Sequence, residues 1–217
     1  MNTELNLKEI ERKAFRSTYQ DGLWDLYFGL IVICMAVFVY RPSTGYSPMN
    51  IIMALCAMAV AYALFWVGKK YVTLPRMGMV RFGPERKRRK LIMVIVLGVV
   101  VLFQVILFLF TLMVWTNPEW GARYKGLLPD NNIMDLIVAS IGALFVGPSM
   151  ILVAYFKDFT RGYFIAVMIA LAVFLMLLLN QPIYPIIIGI LIALPGCFLF
   201  LRFLSKYPLH KHDKSHD

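Results

Sequence analysis

Charge is what this sequence has least of. Asp, Glu, Lys and Arg make up only 16% of its 217 residues, and the acidic ones number 12. A soluble domain carries about a quarter of its residues as charges, so a water-solvated globule is excluded. Histidine is nearly missing too: His210, His212 and His216 all lie in the last eight residues. No imidazole is therefore available within the body of the chain for general acid–base work or for a metal. The terminal HKHDKSH run could hold a metal loosely, but reads better as a charged flexible tail. The three cysteines, Cys34, Cys56 and Cys197, fall inside apolar runs at spacings that suit no metal centre. There is no HExxH, GxSxG or P-loop pattern. No catalytic residue, cofactor or metal site is expected.

What fills the sequence instead is apolar: 60% of the residues are hydrophobic, in unbroken blocks. Blocks of about 18 residues or more are the mark of bilayer-spanning helices. The expected fold is an all-α membrane protein of six transmembrane helices, at about 22–40, 50–68, 91–115, 133–156, 162–179 and 184–204. The first run starts near residue 22, is long enough to span and has no small-residue cleavage site, so no cleavable signal peptide is expected.

The net charge of +10 is distributed with a strong bias. If the loops alternate across the bilayer, 19 of the 22 Lys and Arg fall on one side, and only Arg41, Arg123 and Lys125 on the other. Adding or dropping one span would scramble this split. The bias places both termini in the cytoplasm and the protein in the cell (plasma or inner) membrane. It also directs the basic charge to orientation and anionic head groups rather than to nucleic acid. Trp24, Tyr27, Tyr71, Trp115, Trp120, Tyr124, Tyr155, Tyr163, Tyr184 and Tyr207 lie near the proposed helix ends, where amphipathic rings favour the head-group zone.

Residues 1–20 precede the spans. Asn6 and Glu9 have capping-box spacing. Leu7, Ile10 and Ala14 share a face opposite Lys8, Arg12, Lys13 and Arg16. An amphipathic interfacial helix is expected, the alternative being a solvated, frayed terminus. Residues 207–217 form the tail, leaving 21–206 as the transmembrane domain.

The longest polar interruption in the first half is the cytoplasmic loop 69–90. Pro75-Arg76-Met77-Gly78 offers a turn between Val72-Thr73-Leu74 and Met79-Val80-Arg81-Phe82, which predicts a small β-hairpin between the second and third spans. Its apolar residues suit docking on the bundle, the interface or another protein. Pro84 suits the first position of a helix. Arg86, Lys87, Arg88, Arg89 and Lys90 then run into the third span, as a topological anchor, an anionic-lipid site or both.

Asp21 and Asp25 open the first span four residues apart. A structural tie to Arg76 or Arg81 is the plain expectation, and a proton or cation site the sharper one, since ionisable groups inside a membrane edge are costly. Asp135, at the opposite edge, suits the start of the fourth helix. Deep polar residues are few: Gln104, Ser140 and Ser149. Pro148 and Pro195 interrupt the fourth and sixth helices, and Gly142, Gly147 and Gly189 permit close helix approach. With Asp25, Gln104, Pro148 and Pro195 near it, a solute path is conceivable.

DGLWDLYFGL together with YVTLPRMGMVRF resembles a group of uncharacterised prokaryotic multi-pass membrane proteins. These share an acidic-Gly start to the first span and a Thr-x-Pro-Arg-x-Gly-x-Val loop, here Thr73, Pro75, Arg76, Gly78 and Val80. The resemblance covers about a tenth of the chain and implies no activity. Two functions follow as expectations. One is a non-enzymatic scaffold or accessory subunit, whose loop meets anionic lipid and a protein partner: a second copy of itself or another membrane protein. The other is a small pore or transporter for an ion or small solute.

Overall fold

A computed structural model describes residues 19–39, 48–77, 84–116 and 131–208. Every regular element among them is helical: α1 (Leu23–Val39), α2 (Pro48–Val67), a π-helical stretch (Gly68–Thr73), α3 (Leu74–Met77), α4 (Pro84–Thr116), α5 (Asn131–Phe156), α6 (Thr160–Leu179) and α7 (Ile183–Lys206). In lipid a backbone N–H or C=O finds no water, so an apolar run satisfies its own groups as a helix even when rich in Val and Ile. Met49–Arg76, Arg88–Leu107, Leu136–Phe156, Thr160–Leu179 and Ile183–Lys206 are long and apolar enough to cross a bilayer. The 17 residues of α1 are equally apolar but shorter. At about 1.5 Å per residue they reach about 26 Å, just under the ~30 Å hydrocarbon core. The chain has the build of a multi-pass membrane protein, and its helices fall where six spans are expected.

The surface agrees. Ile51, Ile52, Leu55 and Val60 on α2, and Leu91, Val94, Val99 and Leu102 on α4, are all exposed. Water would drive such faces to aggregate, whereas acyl chains solvate them.

The chain divides into two compact units, Met1–Phe82 with Pro185–Asp217, and Gly83–Tyr184. In the first, the buried face of α1 is Asp25, Gly29, Val32, Ala36 and Val39, an alternating four-three spacing that makes one straight seam. Part of it meets α7 backbone to backbone. A methyl group on Gly29 would sit 2.7 Å from the Gly189 carbonyl oxygen, and one on Gly189 would sit 2.7 Å from that of Gly29. Gly196 lies against Asp25 and the Leu26 amide in the same way. Small residues at such crossings are how membrane helices gain dispersion contacts when lipid supplies no hydrophobic drive. Gly22, at φ +76°, turns the chain into α1 directly under Gly196 and Phe200; a side chain there would suffer both strain and collision.

In the second unit, α6 buries Ile165, Ala166, Ile169, Ala172, Val173 and Met176. Gly142 on α5 packs against Leu177 and Val173 of α6, and Gly147 against Ala170. The connection between α5 and α6 holds Asp158 at φ 51°, with the Phe159 amide donating to Ala154 O. Asn180 ends α6 in the left-handed region, its amide on Met176 O, the C-cap role Asn tolerates well. Helix α5 continues through Pro148 and α7 through Pro195.

The expected β-hairpin is not there. Val72, Thr73 and Leu74 are helical, continuing α2 to Met77 through the π-helical stretch. The reason is local: within a regular α-helix the ring of Pro75 would press on the preceding turn. A π-turn widens the helix just ahead of it, and the Leu74 amide donates to Lys69 O, five residues back. The second half of the hairpin, with Gly78 and Arg81, lies outside the described residues, as do the interfacial segment up to residue 18 and the tail from residue 209. Helix α4 does start at Pro84, so the basic run is helical and continuous with the span.

Gly189→Val is expected to cost about 1–3 kcal/mol by overpacking against the Gly29 backbone. Gly98→Ala, where an added carbon meets nothing within 4 Å, is expected to be neutral or stabilising by up to about 1 kcal/mol. Reversible unfolding of the two variants in mixed micelles measures the contrast.

Candidate functional site

The first unit gathers its ionisable groups where α1 begins. Asp21 is wholly buried. Its Oδ1 accepts the Leu23 amide at 3.3 Å, and its Oδ2 accepts Lys69 Nζ at 2.6 Å and Thr73 Oγ1 at 2.8 Å. The carboxylate thus caps α1, where the helix dipole favours a negative charge, and holds a cation of the next span. A buried ion pair is tolerable only when its remaining hydrogen-bonding capacity is also met, and Thr73 with the Leu23 amide does that for Asp21.

The π-turn is what makes the geometry. Lys69 and Thr73 are four residues apart inside it and present their side chains to the same carboxylate. Lys70 points the other way, over the rings of Trp66 and Tyr71 at 4.6 and 5.4 Å, a cation–π arrangement suited to the head-group layer. The same junction is lined by aromatic rings. Trp24 and Tyr27 of α1 pack on Phe65 of α2 at centroid separations of 4.6 and 4.9 Å, with Tyr19, Phe28 and Tyr62 around them.

Asp25, at 4% exposure, lies one turn deeper and faces Gly196 beside Pro195 of α7. Arg76 lies in α3. Its Nε and Nη1 are buried with no hydrogen-bond partner among the described residues. The expected Arg76 tie to Asp21 is therefore replaced by Lys69, which sequence reading assigned to the loop. The signal for Lys69 was its four-residue offset from Thr73, readable only if the helix is known to continue past Gly68. Pro75 is exposed, as are Arg88, Arg89 and Lys90 on the first turns of α4; the side chains of Arg86, Lys87 and Asp135 lie outside the described set.

The deep polar residues come together in the second unit. Gln104 Nε2 of α4 donates to Phe145 O at 3.1 Å and to Ser149 Oγ at 3.2 Å on α5, and Ser149 Oγ donates back to Phe145 O at 2.8 Å. Proline at 148 withholds the backbone donor that would serve Leu144 O, and Gln104 bonds one residue further on, at Phe145 O. Ser140 is exposed instead. Of the four residues expected beside a solute path, Gln104 and Pro148 share this cluster in one unit, and Asp25 and Pro195 lie together in the other. No group of three His, Cys, Asp or Glu side chains suited to a metal ion occurs among the described residues.

Comparison with known proteins gives no match to a family model, a curated protein or a solved structure.

Lys69→Met would leave the buried Asp21 carboxylate without its counter-charge, at a cost of about 3–5 kcal/mol. Adding Asp21→Asn should recover most of that loss, because the neutral amide's oxygen can still accept the Leu23 N–H while its NH2 donates to the Thr73 hydroxyl, which reverses the second bond. A double-mutant cycle on unfolding in micelles reads the coupling directly.

Proposed function

We propose that the chain is a non-enzymatic membrane scaffold or accessory subunit, with both termini in the cytoplasm and the 69–90 segment as its contact surface. The observation that supports this is the use made of Asp21. A wholly buried carboxylate is spent on fixing the Lys69–Thr73 turn against the start of α1, which positions a surface rather than leaving a charge for a substrate. The exposed Arg88, Arg89 and Lys90 at the start of α4 fit anionic head groups, at about 1 kcal/mol per charge. The Thr73, Pro75, Arg76, Gly78 and Arg81 sequence motif is the part of the segment assigned to a partner, either a second copy or another membrane protein. Replacing Gly78 and Arg81 together should abolish a co-purified partner or dimer. Assembly unchanged from the wild type would overturn the reading.

A pore or transporter is the second reading, favoured by one observation: Asp25 is buried one turn inside α1, against Gly196 next to the helix proline Pro195 of α7. Broken or proline-bearing helices beside an intramembrane acid are a transporter's means of holding ions. On this reading Asp25→Asn in liposomes eliminates cation or proton flux; equal flux in wild type and variant, or none in either, rejects it.

A further inference from the structure

Lys69, Thr73 and Arg76 follow one another at offsets of four and three along a continuous helical segment. The first two are consumed by Asp21, which has an acceptor role on both oxygens. Arg76 is not. Two of its guanidinium nitrogens, Nε and Nη1, are buried and meet no acceptor among the described residues. A guanidinium cannot shed its charge, and a buried N–H left unmade costs about 1–3 kcal/mol. The two nitrogens carry three N–H groups between them, which call for an acceptor with several oxygens.

Depth says which oxyanion is at hand. The span that ends here, Met49–Arg76, has 28 residues. At about 1.5 Å per residue it is about 42 Å long, against ~30 Å for hydrocarbon and ~40–45 Å with head groups included. Its end therefore stands in the head-group layer, next to Tyr71 and the Lys70–Trp66 pair, both of which suit that layer. Phosphate is the multi-oxygen anion of that depth, and a guanidinium is the side chain whose planar fork matches it. We propose that Arg76 is the recognition residue of a phosphate-binding site at the membrane edge, with the Asp21–Lys69–Thr73 cluster as the frame that holds it in place. The phosphate belongs either to an anionic phospholipid or to a soluble ion. The inference rests on the 69–90 segment lying at the membrane surface, but not on any protein partner.

The test uses the full chain in nanodiscs, one molecule per disc, in three media: phosphatidylcholine alone, phosphatidylcholine with phosphatidylglycerol, and phosphatidylcholine with inorganic phosphate in the buffer. Native mass spectrometry counts retained phosphatidylglycerol, and thermal unfolding reads stabilisation by either anion. Arg76→Gln should weaken the effective anion by about tenfold, the scale of one or two charge-assisted hydrogen bonds. Arg76→Lys, which keeps the charge and loses the fork, should fall between the two. Lys70→Gln, removing an exposed cation nearby, should change retention far less. Loss confined to the phosphatidylglycerol medium assigns the site to lipid; loss confined to the inorganic phosphate medium assigns it to the soluble ion. Equal behaviour of wild type and Arg76→Gln in every medium overturns the proposal. Equal losses in Arg76→Gln and Lys70→Gln, or wild-type binding by Arg76→Lys, reduce it to general surface charge and overturn it as well. Should the Gly78 and Arg81 exchange lose its partner while Arg76→Gln retains lipid normally, this inference fails and the scaffold reading stands.

Discussion

A carboxylate stripped of water survives only if everything around it is arranged on its behalf, and Asp21 imposes that condition on the first unit. It needs a cation within contact distance, so Lys69 must turn inward. It needs further donors, so Thr73 must follow on the same face and the α1 amide must point at it. Those requirements fix where α2 ends, in which rotation it ends, and where α1 starts. Desolvation opposes the pair and mutual attraction restores it, so the net gain in stability is small. What the arrangement supplies is placement.

Placement is reinforced by close packing. The approach of α1 to α7 leaves no room for a side chain at Gly29 or Gly189, so the two helices have one register and little freedom to slide. In the second unit a different device serves. Gln104 crosses from α4 to donate to Phe145 O and Ser149 Oγ of α5. One unit is ordered by a charge and by glycines, the other by an amide and by small residues along α5 and α6.

Much of this was legible from the residue order. Long apolar runs have one stable conformation in lipid, so the helices sit where hydropathy places them, and Pro84 and Asn180 mark ends for the reasons their backbones dictate. Gly142, Gly147 and Gly189 also pack as their size suggests. The 69–77 segment misled because Val, Thr, Tyr and a proline are strand-and-turn residues in water. Tertiary burial of Asp21 outweighed that propensity, and a π-turn, which leaves no compositional trace, accommodated the proline. The partner of Asp21 was missed for the same cause: Lys69 counts as a loop residue only while the helix is thought to stop at Gly68. The pairing of Gln104 with Ser149 needed the neighbourhood of α4 and α5, which no spacing within either helix encodes.

The seam between α1 and α7 joins segments far apart in the sequence, with some 160 residues of chain from Gly29 to Gly189. It can close only after everything in between has left the ribosome. During synthesis the glycine-lined flank of α1, with Asp25 in its midst, lacks the helix that covers it, and the nascent protein must carry an acid next to lipid until α7 arrives. Contacts so distant in sequence form slowly. Helix α7 thus completes a seam that α1 opened long before it, and biogenesis rather than final stability is where this design is most exposed.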